Sequence, residues 1–194
     1  MNKIYLILVL ILLFSCVREK GFIHHKYEIN QISEIYDNNI EEISEIYRSN
    51  INDTLYNQNW IIRNGVLDTL SSNFYILDLE RIEDEKRNLG TLTINSPTYE
   101  KHKASSIERE IWLHLIQFKD SKIDILDYHS INSNKVDFDF YSDNDTIVGV
   151  LREQILKDTI VDGEKMIRFI EVILMIDNKH NTNNPFIETF REED

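Results

Sequence analysis

A single cysteine, Cys16, in 194 residues excludes an intramolecular disulfide. Five glycines leave no glycine-rich loop of the kind that cradles phosphates on backbone N–H groups. Neither a Gly-x-Ser-x-Gly nucleophile elbow nor a His-Glu-x-x-His zinc helix occurs. The amino-terminal apolar run, Ile4 to Phe14, is eleven residues, whereas a helix crossing the hydrocarbon core needs about 20. Positive charge is scarce as well: 21 Lys and Arg stand against 34 Asp and Glu, a formal charge of −13. A field of that sign repels phosphate backbones and anionic head groups, so no nucleic-acid partner is expected. A basic protein partner or plain solubility suits it better.

What is present begins at the amino terminus. Lys3 and the free amino group precede the Ile4–Phe14 run, which has the length of a signal-peptide core. Leu13-Phe14-Ser15-Cys16 at its end resembles the bacterial lipobox, with an aliphatic residue three before the cysteine and a small one just before it. The resemblance implies lipid on the Cys16 thiol and cleavage after Ser15; the alternative is an ordinary signal peptide with an incidental cysteine. A multiply acylated cysteine holds firmly to a membrane because acyl chains bind by burying methylenes. Val17 rather than an acid follows it, which in bacteria resembling enterics fits the outer membrane of the cell envelope. Residues 1–15 contain one Lys and no acid, so the exported part carries 20 basic and 34 acidic side chains, a formal −14.

The remainder reads as a tether to residue 27, one domain over 28–177 and a polar, acidic tail over 178–194 with a greasy island at Phe186–Phe190. An apolar fraction of 42% is enough for an ordinary core. From Glu28 to Arg48, Ile29, Ile32, Ile35, Tyr36, Ile40, Ile43, Ile46 and Tyr47 fall on one stripe at 100° per residue, which predicts an amphipathic helix. Within it Ile-Ser-Glu-Ile-Tyr occurs at 32–36 and 43–47, about three helical turns apart. Covering a sheet is the simpler role for this helix, a stalk or partner-binding coil the sharper one. A second helix is expected from Ser105, where Ser105 and Glu108 have capping-box spacing and Ile107, Ile111, Leu115 and Phe118 recur every three or four residues.

The other segments alternate as strands do. Trp60–Arg63, Asn64-Gly65 and Val66–Leu70 form a hairpin signal, because Asn-Gly supplies the positive φ of a type I′ turn. Strands are also expected at Phe74–Leu79, Leu89–Ile94, Ile123–Tyr128, Val136–Tyr141, Thr146–Leu156 and Met166–Ile176. The last two are predicted to pair through Asp162-Gly163, and Met166–Ile176, apolar on both faces, reads as a central strand. Together these predict an α+β domain: an antiparallel sheet of about six or more strands packed against two helices. A helix followed by a bent sheet is similar to a cone-shaped cystatin-like or NTF2-like fold.

Candidate chemistry is sparse, and no cofactor is expected. His24 and His25 adjoin only in the tether. Glu110 and His114, four apart on the expected helix, could share a metal, although an exposed helix pair explains them more simply. Asp137 and Asp139 share a strand face, with Asp143 and Asp145 in the following turn; they suit calcium, a carboxylate pair acting on a glycan, or a solvated face. Asp-Thr-Leu or Asp-Thr-Ile occurs around Thr54, Thr69, Thr146 and Thr159, and these triplets resemble the O-glycosylation acceptor of Bacteroidota envelope proteins. The plainer account is Asp closing a turn and Thr opening a strand. The expected function is therefore a non-enzymatic binding or protein-interaction lipoprotein of the cell envelope. An inhibitor or immunity-type protein against a basic toxin or wall-degrading enzyme is the alternative, and an envelope glycan hydrolase the third.

Overall fold

The computed structural model describes residues 26–36, 39–50, 53–82, 86–119, 122–142 and 146–191. The strands in chain order are β1 (Tyr27–Tyr36), β2 (Ile40–Ser49), β3 (Thr54–Arg63), β4 (Val66–Leu67), β5 (Phe74–Ile82), β6 (Arg87–Asn95), β7 (Ser106–Lys119), β8 (Lys122–Ile131), β9 (Lys135–Tyr141), β10 (Val148–Val161), β11 (Glu164–Asp177) and β12 (Asn181–Thr182). They form three antiparallel sheets with orders β12-β1-β2-β3-β4, β11-β10-β7-β8 and β5-β6-β9, and one of them curls into a half-barrel. Helix is confined, among the described residues, to α1 (Pro97–His102), a 3-10 turn at Lys103–Ser105 and α2 (Pro185–Arg191).

The second sheet is the middle layer, because successive residues of its strands face opposite ways. Ile111, Leu113, Leu115, Leu151, Leu174 and Ile176 point to one side, where they bury against Leu92, Ile94, Val136, Phe138 and Phe140 of the third sheet. Val150 and Met175 point to the other, against Tyr27 and Tyr47 of the first sheet and Ile187 of α2. Full burial of one such side chain contributes about 1.5–3 kcal/mol.

Both expected long helices are strands, and the α+β assignment is overturned: the fold is nearly all-β. Glu28–Arg48 is the β1–β2 hairpin, paired from Tyr27↔Ser49 to Tyr36↔Ile40, with Asn39 at φ 58° leading into β2. Its isoleucines do not share one stripe. Ile29 and Ile35 face one way, Ile32 and Tyr36 the other, so two half-apolar strand faces imitate a single helical stripe in the sequence. β-branched side chains are stiff at χ1 and pack well on a pleated surface, which favours the strand. Residues 106–119 form β7 because Ile111, Leu113 and Leu115 alternate with Glu110, Trp112 and His114. The spacing of four that joined Ile107, Ile111 and Leu115 is an even number, so it marks one face of a strand as well as of a helix. The likeness to cystatin-like or NTF2-like folds falls with the helices.

The real helix start is Ser96-Pro97. Ser96 accepts the Tyr99 N–H and Pro97 occupies the first turn, where its missing N–H has no consequence. The turn signals hold: Asn64 and Gly65 at φ 53° and 78° connect β3 to β4, and Asp162 and Gly163 at φ 52° and 86° connect β10 to β11. β11 is an edge strand rather than a central one, although its second half is covered on both faces by the two cores. Beyond it, β12 pairs with β1 and α2 buries Ile187, so the segment after Asn178 is packed into the fold as far as α2.

Candidate functional site

The most developed polar site lies where α1 meets the middle sheet. Arg109 occupies the β7 face that buries Ile111 and Leu113, and Glu153 stands diagonally opposite on β10. Glu153 is wholly buried and Arg109 nearly so, and each carries a full charge that the other must compensate. The Arg109 guanidinium meets Glu153 Oε1 through Nε at 2.7 Å and through an Nη at 2.5 Å. Ser96 donates its hydroxyl to Glu153 Oε2 at 2.5 Å while accepting the Tyr99 N–H at 3.1 Å, so one side chain caps α1 and completes the ion pair. The Tyr99 ring lies over the guanidinium, 4.0 Å from its carbon, a cation–π contact shielded from water on one side.

A cleft of about 540 Å³ opens beside this network. Its walls are Ile94, Asn95, Ser96, Tyr99, Glu100, Lys103, Arg109, Asn132, Ser133 and Asn134. Asn132 is fixed by accepting the Arg109 N–H and donating its own N–H to the Arg109 carbonyl, at φ 53°. Asn134 is exposed at the mouth and its carbonyl accepts the Ile94 N–H. Amides, hydroxyls, one aromatic ring and a Glu100–Lys103 pair at 3.6 Å line one concavity. Such a surface offers donors and acceptors in several directions at once, which suits a neutral ligand rich in hydroxyl and amide groups.

The face of β7 and β8 opposite the Ile111 core carries a second arrangement. Trp112 stacks on His129 with ring centroids 3.9 Å apart and donates its indole N–H to Glu110 at 3.0 Å. His114 Nδ1 lies 2.6 Å from Asp127, and His129 Nε2 lies 3.7 Å from Glu110. Glu110 and His114, considered above as a metal pair, do share a face. On a strand, however, positions four apart are separated by about 13 Å, with Trp112 between them. Each has a different partner, and no group of three His, Cys, Asp or Glu suited to a metal occurs among the described residues.

Asp137 and Asp139 lie on the less buried face of β9, alternating with buried Val136, Phe138 and Phe140 as the sequence suggested. They are held separately: Asp137 accepts from Thr91 at 2.6 Å, and Asp139 from Arg87 Nε at 3.0 Å. Tyr128 also donates to the Asp139 carbonyl. Asp143 and Asp145, Cys16 and the His24-His25 pair lie outside the described residues.

Of the four threonines, Thr54 and Thr69 are exposed, and Thr146 and Thr159 half-buried. Around Thr69 the aspartate does turn work. Asp68 accepts from Arg63, Ser71 and the Leu70 N–H, and the Arg63 and Ser71 donors hold its carboxyl below the usual range.

Asp177, at the end of β11, is pushed up to about 6 by burial, against the pull of donors Thr182 and Asn184 at 2.5 and 3.0 Å. Burial, with Asp177 beside it, also raises the Tyr47 hydroxyl. This group ties β12 to β11 and opens into no described cleft.

The sequence reasoning missed Arg109, Glu153, Ser96 and Tyr99. Two signals pointed there. Ser-Pro three residues ahead of an aromatic is a helix start, and Arg109 falls in phase with Ile111 and Leu113 on the buried face of β7. Comparison with protein-family models, with curated proteins and with solved structures finds no match.

Proposed function

We propose that this chain is a lipid-anchored protein of the cell envelope whose β domain is a non-enzymatic binding module, taking a hydroxyl- and amide-rich ligand such as an envelope saccharide in the Arg109–Tyr99 cleft. The observation that carries the binding part is the polar cleft of about 540 Å³ built on a buried, fully engaged ion pair. An Arg109 committed to Glu153 and Tyr99 is a rigid wall, and rigid walls bind without first losing side-chain freedom. The anchor is supported by Leu13-Phe14-Ser15-Cys16 at the end of the signal-like run. Hydrolysis is less favoured because the carboxyl raised toward neutrality, Asp177, sits in the β12 network away from the cleft.

Two measurements test this. Radiolabelled palmitate fed to the native cell is expected to appear on the protein and on none of a Cys16→Ser variant; label on both, or on neither, removes the anchor. Soluble cell-wall saccharides titrated against isotope-labelled protein are expected to shift the amides of Asn95, Tyr99 and Asn134. An Asn134→Trp variant, which places an indole in the mouth of the cleft, is expected to abolish those shifts. Shifts elsewhere, or an indifferent variant, would refute the cleft.

The inhibitor alternative has one observation of its own. Ile123 and Ile125 are exposed on the edge strand β8, opposite Phe118 and Ile116, with Asp127 bordering them and Glu110 farther along the same face. An apolar patch with an acidic rim fits a basic protein, and its signature is a captured partner that is lost at high salt.

A further inference from the structure

The β10–β11 hairpin outruns the sheet that supports it. β7 pairs with β10 no further than Lys157, so Asp158–Val161 and Glu164–Ile167 project as a bare ribbon about 13 Å long. From Asp158 to Phe169 every residue is exposed except half-buried Thr159. Ile160, Met166, Ile167 and Phe169 are half or more exposed, and an isolated two-stranded ribbon is marginal in water. Edge strands are commonly blunted by bulges or prolines, yet the ladder between β10 and β11 runs through fourteen pairs without a register shift.

The outer edge of β11 has a defined polarity. Met175 donates its N–H to Asn57 Oδ1 and accepts from Asn57 Nδ2, so its backbone points away from β10. By alternation Lys165, Ile167 and Phe169 point the same way, and no described residue bonds them there. The charges are uncompensated too. Lys157 stands directly opposite Arg168, and no carboxylate among the described residues ion-pairs with Arg168. Burial first, and then the cations Lys157, Lys101 and Arg168, hold the nearby His102 imidazole below its usual range, and Lys157 Nζ lies 3.2 Å from His102 Nδ1.

We propose that this edge pairs with the same edge of a second copy, antiparallel and centred on Met166, extending the middle sheet across a two-fold axis. The inference is independent of the cleft. With Met166 on the axis, Lys165 opposes Ile167 of the second copy and the outward backbone groups meet. Glu164 then opposes Arg168 twice, which supplies the carboxylate that the Lys157–Arg168 pair lacks. Other registers with the same backbone polarity are poorer: Lys165 on the axis opposes two ammoniums, Ile167 on the axis pairs no opposite charges, and Arg168 on the axis opposes two guanidiniums. The pairing ends at Phe169, short of the part of the edge that Asn57 covers.

The full-length protein, extracted in mild detergent, is expected to have twice the monomer's polypeptide mass by light scattering. Under mild oxidation Met166→Cys is expected to give a disulfide-linked dimer at least ten times more readily than Ile131→Cys, an exposed position on the opposite edge. Glu164→Arg is expected to abolish the dimer, and Glu164→Arg with Arg168→Glu to restore it. The unsubstituted protein reports any linkage through Cys16. A monomer by mass, Met166→Cys crosslinking no more readily than Ile131→Cys, or a charge swap without rescue would each overturn the proposal.

Discussion

Replacing Glu153 by Gln removes the charge from a wholly buried carboxylate and keeps its shape. Arg109, nearly as buried, is left with its positive charge and only a neutral acceptor. Breaking one side of a buried pair costs about 3–5 kcal/mol, and the surviving amide oxygen places this change near the lower figure. For a domain of this size each kcal/mol lowers Tm by about 2–4 °C, so a fall of about 6–12 °C is expected. Arg109→Met is expected to cost a similar amount, because it strands the carboxylate and uncovers the Tyr99 ring. The double change Arg109→Met with Glu153→Gln removes both charges together and is expected to recover most of the loss, with a coupling of about 3 kcal/mol between the positions. Thermal and urea unfolding followed by circular dichroism at pH 7, on all four members of the cycle, measures this. Additive losses, or a Glu153→Gln cost below about 1 kcal/mol, would show that the pair is hydrated and that the cleft wall is softer than argued.

Asp177 gives a pH-dependent prediction. Its carboxyl is raised from 3.8 to about 6 in the fold, so the protonated form is the one the fold favours. Its contribution is then full below about pH 4 and lost as pH rises through 6, a swing of about 3 kcal/mol at most. Asp177→Asn is expected to raise stability at pH 7 and flatten the unfolding profile between pH 4 and 6, while an unchanged slope there would disprove the assignment. A methyl group on Gly149 would stand 2.4 Å from the His114 carbonyl oxygen, backbone that cannot move without opening the β7–β10 ladder. Gly149→Ala is accordingly expected to destabilise by about 3 kcal/mol or more in urea unfolding, and a loss under 1 kcal/mol would mean the strands separate easily. Asn57 binds both the N–H and the carbonyl of Met175, so Asn57→Ala is expected to cost about 1–3 kcal/mol and to speed amide exchange at Met175. Protection at that amide equal to the parent's would refute the capping role.

The turns were legible because they depend on neighbours in sequence. Asn64-Gly65 and Asp162-Gly163 adopt positive φ wherever the chain goes next. The Val136–Tyr141 alternation likewise placed Asp137 and Asp139 on one face without help from the fold. The helices over 28–48 and 105–118 were misassigned because apolar spacings of three and four are ambiguous. Ile107, Ile111 and Leu115 satisfy helix and strand alike, and only the partner strands β8 and β10 select between them. The same error moved Glu110 and His114, which a helix would have brought together and a strand holds apart.

The sequence by itself determined the signal-like run ending at Cys16, the acidic charge, the type I′ turns and most strand segments, since each rests on composition or on contacts a few residues long. Tertiary structure alone decided the rest. Ser96, Tyr99, Arg109 and Glu153 span 57 residues of chain, and nothing local announces that a strand arginine will find its carboxylate on the neighbouring strand. Edge or centre is likewise a property of the assembled sheet. The apolar pattern of β11 is the same in either place, and only the finished strand order shows that its outer backbone groups over Lys165–Phe169 are left without a strand to bond.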